Sequence, residues 1–324
     1  MQDIHQMSFQ LSRIKKALII LRLLIQEMIM KPRIAIFSCL MSLLSVPAHA
    51  ALDPAQPLAE APPYSLFEAW AKPVQPFAIW PGVWYVGTEN LSSVLITTPQ
   101  GHILIDAGLD ASAPQIRRNI EALGFRMADI RYIANSHARL DQAGGIARLK
   151  AWSGARVIAS HANAEQMARG GKEDFALGDA LPFPPVTVDI EAQDGQQWHL
   201  GGVTLAAIFT PGHLPGATSW KVTLADGKTL IYADSLATPG YPLINNRNYP
   251  TLVEDIRRSF ARLEAQQVDI FLANKGERFG LMDKIARKAR GENNAFIDRQ
   301  GLAQYVAQSR AAFEKQLAVQ RKQP

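Results

Sequence analysis

The chain has 324 residues, 48% hydrophobic and 19% charged, with a formal charge of +5 and one cysteine. This is globular composition, which excludes a low-complexity chain, a disulfide framework and a thiolate metal cluster. The positive balance belongs to the leader: without Arg13, Lys15, Lys16, Arg22, Lys31, Arg33, Asp3 and Glu27, 28 basic residues face 27 acidic ones, a balance that argues against nucleic acid as a partner.

Residues 30–50, MKPRIAIFSCLMSLLSVPAHA, have a short basic start, an apolar run and an Ala-x-Ala ending. That is the pattern of a secretory signal cut after Ala50, which implies a periplasmic protein without stable membrane association once the signal is removed. Residues 1–29 read as an upstream extension of a misassigned start, and a retained N-terminal anchor is the alternative. Cys39 leaves with the leader. Residues 51–76, rich in Pro and Ala, form a surface segment, and residues 77–324 form a single domain.

Strand composition then alternates with helical spacing. GVWYVGT, SSVLITT and HILIDAG read as strands, the last two joined at the turn PQG. ASAPQIRRNIEALGF places Ile116, Ile120 and Leu123 on one helix face. IRYIANS is a strand, AGGIARLKAWSG a helix stopped by Gly154, ARVIAS a strand and HANAEQMARGG a helix. After a loop come VTVDIEA, QQWHL and VTLAAIFT, then the hairpin SWKVTLADGKTLIYADS, turning at ADG. PTLVEDIRRSFARLEAQ is a helix, VDIFLAN a buried strand, and residues 302–322 a final amphipathic helix. The pattern implies an α/β chain of two sheets with helices outside each; an ordinary doubly wound fold is the alternative.

Four loops at strand ends carry the chemistry: DAG (Asp106–Gly108), SHARLDQAGG with His137 and Asp141, TPGHLPGATSW with His213, and LANKGERFGL with Lys275. Taken in order, these loops with the GHILIDAG, IYADS and DIFLAN strands resemble the metallo-β-lactamase superfamily over residues 77–290. They most resemble class B metallo-β-lactamases of the third subclass. The resemblance implies an αββα sandwich and a hydrolase with zinc.

The family pattern has His-x-His-x-Asp-His in the second loop and one histidine in each of the next two. His137, Asp141 and His213 match it; Arg139, Gln142 and Lys275 stand at the other three ligand positions. Arginine stays protonated, lysine ligates only after losing a proton, and glutamine is a weak oxygen ligand. The expectation is at most one zinc on His137 and His213, with a third ligand from Asp141 or Gln142, or water in its place.

The implied reaction is opening of a β-lactam antibiotic, a small-molecule substrate, by a single zinc-bound hydroxide. Asp141 orients the nucleophile or accepts its proton. Lys275 replaces the second metal, holding the substrate carboxylate or the departing nitrogen. Ser235 assists by hydrogen bonding. Arg139, Gln142, Tyr241 and Asn245 are candidate substrate-binding residues, and Arg139 pairs with Asp141 or another carboxylate. The default assembly is a monomer. A lactone hydrolase of the same superfamily and a metal-poor binding protein on the old scaffold remain as alternatives.

Overall fold

The computed structural model describes residues 52–322; the signal and upstream segments lie outside them. The chain order is α1 (Tyr64–Trp70), β1 (Phe77–Trp80), β2 (Val83–Tyr85), β3 (Val94–Thr98), β4 (Gly101–Ile105), α2 (Ala113–Ala122), β5 (Ile130–Ala134), α3 (Leu140–Ala143), α4 (Ile146–Ser153), β6 (Arg156–Ser160), α5 (His161–Ala168) and β7 (Ile190–Ala192). It continues with β8 (Gln197–Leu200), β9 (Val203–Phe209), β10 (Thr218–Thr223), β11 (Thr229–Ala233), α6 (Leu252–Glu264), β12 (Ile270–Ala273), α7 (Leu281–Ala289) and α8 (Gly301–Gln320).

Strands β1 to β7 form one sheet in sequence order, and a second sheet runs β12-β11-β10-β9-β8. The first sheet is antiparallel from β1 to β4 and parallel from β4 to β7. In the second, only β11 and β12 are parallel.

The period of two along each strand explains the layers. On β4, Ile103 and Ile105 join a core shared with Trp220, Val222 and Tyr232 of the second sheet, while Leu104 faces the helix layer. On β3, Val94 and Ile96 point one way and Leu95 the other. Ile116 and Ile120 of α2 pack with Ile146 and Leu149 of α4 over the first sheet. Ile256, Phe260 and Leu263 of α6 pack with the second sheet's core residues, as does Phe313 of α8. The result is the αββα sandwich of the sequence reading.

Several elements differ from that reading, which has no counterpart to β1, α3 or α7. The Pro-rich segment contains α1, none of whose residues is buried, so no apolar periodicity announces it. VTVDIEA yields a strand only over Ile190–Ala192.

Trp220 is fully buried, and its indole N–H donates to the Asn135 carbonyl at 3.2 Å, joining the second sheet to the loop after β5. Trp220→Ala removes both the packing and this bond and lowers stability by about 3–5 kcal/mol, read as a fall in the urea midpoint. A loss below about 1 kcal/mol contradicts Trp220's place in the core.

Candidate active site

Strand ends deliver the side chains to one edge of the sandwich. β5 leads to Asn135–His137, β9 to His213, β11 to Asp234 and β12 to Asn274 and Lys275. Asp106, after β4, ties these ends together from a left-handed backbone at φ 57°. Its carboxylate accepts from the Ser136 N–H at 2.7 Å, the Ser136 hydroxyl at 2.5 Å and the Tyr232 hydroxyl at 2.9 Å. Burial pushes its pKa up to about 7 against the Ser136 hydrogen bonds.

A row of alternating charge sits on this frame. His137 donates from Nδ1 to Asp234 Oδ1 at 2.7 Å and from Nε2 to Asp141 Oδ1 at 3.2 Å. Lys275 Nζ donates to Asp141 Oδ2 at 2.7 Å. Burial alone depresses the His137 pKa, but the carboxylates of Asp234 and Asp141 outweigh it and raise it to about 10. Burial opposes ionisation of Asp141 too, yet the charges of Lys275 and His137 hold its carboxyl well below the ordinary range.

Arg139 is buried beside this row. Its Nε and one terminal nitrogen donate to the two oxygens of Asp174 at 2.7 and 2.8 Å. Its other terminal nitrogen donates to the Tyr241 hydroxyl and, at 3.4 Å, to His213 Nε2. His213 Nδ1 donates to the Ala237 carbonyl at 2.7 Å. Burial, reinforced by the charges of Arg139 and His137, depresses its pKa to about 3, so this ring is neutral where its neighbour is charged.

The expected site residues are partly regrouped. His137, Asp141, His213 and Lys275 come together, the two imidazole centroids 4.9 Å apart. Arg139 does not present itself to substrate, because Asp174, Tyr241 and His213 take its donors; its carboxylate partner is Asp174 rather than Asp141. Gln142 is fully buried and donates to the Asn274 carbonyl at 3.0 Å. Tyr241 is fully buried against Arg139 and donates to the His213 carbonyl at 3.2 Å. Both are framework residues rather than substrate contacts. Ser235 accepts from the Ala237 N–H at 3.3 Å and thus shapes the loop holding His213. Asn245 is exposed, at φ 52°. Asp234, Asp174 and Trp70 were missed. Asp234 follows directly on the strand that supplies Ser235, and the run YADS gave the only available signal.

The metallo-beta-lactamase superfamily model matches residues 86–273. The chain belongs to that superfamily. A solved metallo-β-lactamase of Cronobacter sakazakii with the HARLDQ motif is 97% identical, with a TM-score of 0.84, over 85% of this chain and 100% of that one. The same six residues stand at His137–Gln142 here. The subclass B3 metallo-β-lactamase BJP-1 of Bradyrhizobium japonicum is 35% identical with a TM-score of 0.73, over 78% of this chain and 97% of that one. An N-acyl homoserine lactonase of Agrobacterium fabrum is 32% identical over 167 residues, 42% of this chain and 61% of the lactonase's length. The solved relatives are named metallo-β-lactamases.

The family implies zinc. Two imidazoles whose Nδ1 atoms are committed to acceptors can ligate only through Nε2, and those nitrogens are held by Asp141 Oδ1 at 3.2 Å and by Arg139 at 3.4 Å, so the donor set fits one ion at His137 and His213 only if it displaces both contacts. It does not fit two, since Arg139 and Lys275 occupy family ligand positions as cations. Among the described residues no group of three His, Cys, Asp or Glu is disposed to hold a metal. Asp141, the expected third ligand, shares its two oxygens with His137 Nε2 at 3.2 Å and Lys275 Nζ at 2.7 Å. A metal at His137 must also displace the Nε2 proton that Asp141 holds, which the raised pKa makes unfavourable at neutral pH.

Asp174→Ala leaves the Arg139 guanidinium buried without its carboxylate and lowers stability by about 3–5 kcal/mol in urea unfolding. Burial raises the Asp174 carboxyl pKa, and Arg139 more than reverses this. The folded value is depressed, so the pair's contribution is full above about pH 4 and is lost as pH falls through the folded value. The difference between wild type and variant shrinks in acid; a difference independent of pH contradicts the ion pair.

Proposed function

We propose that this chain opens the β-lactam ring of antibiotics as a periplasmic, monomeric hydrolase using a single zinc, with Lys275 in place of a second metal. The observation that carries the reading is the Lys275 ammonium, 2.7 Å from Asp141 at the edge of the imidazole pair. It supplies fixed positive charge at a family ligand position. When bound at His137 and His213, zinc supplies polarisation of the lactam carbonyl and a lowered pKa for nearby water.

The chain's own residues do the rest. Lys275 binds the substrate carboxylate and stabilises negative charge on the departing nitrogen. Asp141 orients the attacking water as a hydrogen-bond acceptor; its depressed pKa makes it a poor proton acceptor. Asp234 and the Ala237 carbonyl aim the two rings. Arg139, paired with Asp174, holds the loop in shape. No nucleic acid takes part. Lactone hydrolysis is the second reading, favoured by the likeness to N-acyl homoserine lactonases.

A chromogenic cephalosporin and an acyl homoserine lactone separate the two. The first reading predicts cephalosporin turnover that a chelator abolishes and zinc restores. Lactone turnover without cephalosporin turnover contradicts it. Lys275→Ala lowers kcat/KM about 100-fold for carboxylate-bearing lactams, the size of one lost charge-assisted hydrogen bond. An equal loss for carboxylate-free analogues contradicts the role given to Lys275.

A further inference from the structure

We propose that Trp70 is a positioning residue for Lys275: its indole face clamps the ammonium against Asp141 and makes the N-terminal segment part of the active site. The consequence for substrate rests on the reading of Lys275 above; the clamp itself does not.

Lys275 Nζ lies 3.6 Å from the centroid of the Trp70 ring and 2.7 Å from Asp141 Oδ2. A cation over an indole face is held by the ring's quadrupole, most strongly when both are shielded from water. The Lys275 side chain is 17% exposed, enough for an incoming anion to reach it. An ammonium has three donors. Asp141 takes one and the π-face covers one side, which restricts the directions left to the amine. A lysine stem is otherwise flexible and strongly hydrated, so a fixed point charge in place of a metal needs such a restraint.

One short stretch grips both partners. Thr88 Oγ1 donates to the Trp70 carbonyl at 2.5 Å, and the Glu89 N–H donates to the Lys72 carbonyl at 2.9 Å. On the other side, the Gly276 N–H donates to the Asn90 carbonyl at 3.1 Å, the Ser92 N–H donates to the Asn274 carbonyl at 3.0 Å, and Leu91 bridges to Lys275. The approach at Gly276 is close: a Cβ there would meet the Glu89 carbonyl at 2.4 Å. Residues 88–92 thus fix the indole and the lysine backbone in one mutual register. Phe67 packs against Trp70, their ring centroids 5.5 Å apart and the rings tilted by 47°. Helix α1 buries none of its residues, so core packing does not account for its position.

The test uses the full chain as wild type, Trp70→Leu and Trp70→Phe. Two quantities are read: acylation of Lys275 by acetic anhydride, resolved by peptide mass spectrometry, and the ratio of kcat/KM for a cephalosporin over its carboxyl methyl ester. The clamp predicts that Trp70→Leu raises Lys275 acylation and lowers the substrate ratio, each about tenfold. Trp70→Phe, which keeps an aromatic face, retains most of both. Raised acylation with an unchanged ratio supports the clamp and removes the carboxylate role from Lys275. Unchanged acylation overturns the clamp, whatever the ratio does. Nuclear magnetic resonance of the unmodified protein tests it without any variant: the Lys275 ε-methylene protons are shifted upfield by the indole ring current, and ordinary shifts overturn the proposal.

Discussion

The site depends on charges that are buried and therefore have to be paired. Asp234, His137, Asp141 and Lys275 form an alternating row, with Arg139 and Asp174 as a second buried pair beside it. Isolated, any of these charges would be too costly to hold away from water. Together, three cations and three anions balance. The substitution of two histidines of the family pattern by Arg139 and Lys275 is intelligible in these terms. Each of these cations has a carboxylate in contact: Asp174 for Arg139, and Asp141, shared with His137, for Lys275.

The scaffold makes such pairing possible by fixing where the carboxylates and carbonyls stand. The loop after β11 supplies Asp234 to His137, the Ala237 carbonyl to His213 and Tyr241 to Arg139. Helix α8 holds that loop from behind. The Leu236 N–H donates to the Tyr305 hydroxyl and Tyr305 donates to the Asp234 carbonyl, both at 3.0 Å. Gln316 and Gln320 donate to the Tyr241 carbonyl at 3.1 and 2.8 Å. The final helix, remote in sequence, thereby reaches all three functional side chains through one loop. Preorganised donors and acceptors of this kind cost no rearrangement when a substrate arrives.

Much of this was legible in the sequence. Alternating apolar runs disclosed the strands, the ADG turn the hairpin, and the four strand-end motifs the loops that converge. His137, Asp141, His213 and Lys275 were found because each sits in a recognisable run. The partners of Arg139 and Lys275 were not legible, since an ion pair between distant residues leaves no local pattern. Asp174 lies in a stretch without periodicity, and Trp70 lies on a helix with no buried face. Gln142 and Tyr241 were misread as substrate contacts for a related reason: a polar residue beside a catalytic motif looks the same whether it faces the cleft or the framework. Only burial separates the two.

Placed between the Asp234 and Asp141 carboxylates at 2.7 and 3.2 Å, His137 is expected to hold a proton on each ring nitrogen. Nitrogen-15 nuclear magnetic resonance of the histidine side chains across a pH titration tests it most directly. The account predicts that His137 carries both ring protons through neutral pH and releases one only toward about 10, while His213 stays neutral throughout. A His137 ring that titrates at the ordinary histidine value, about 6.5, or that is neutral at pH 7, would contradict it.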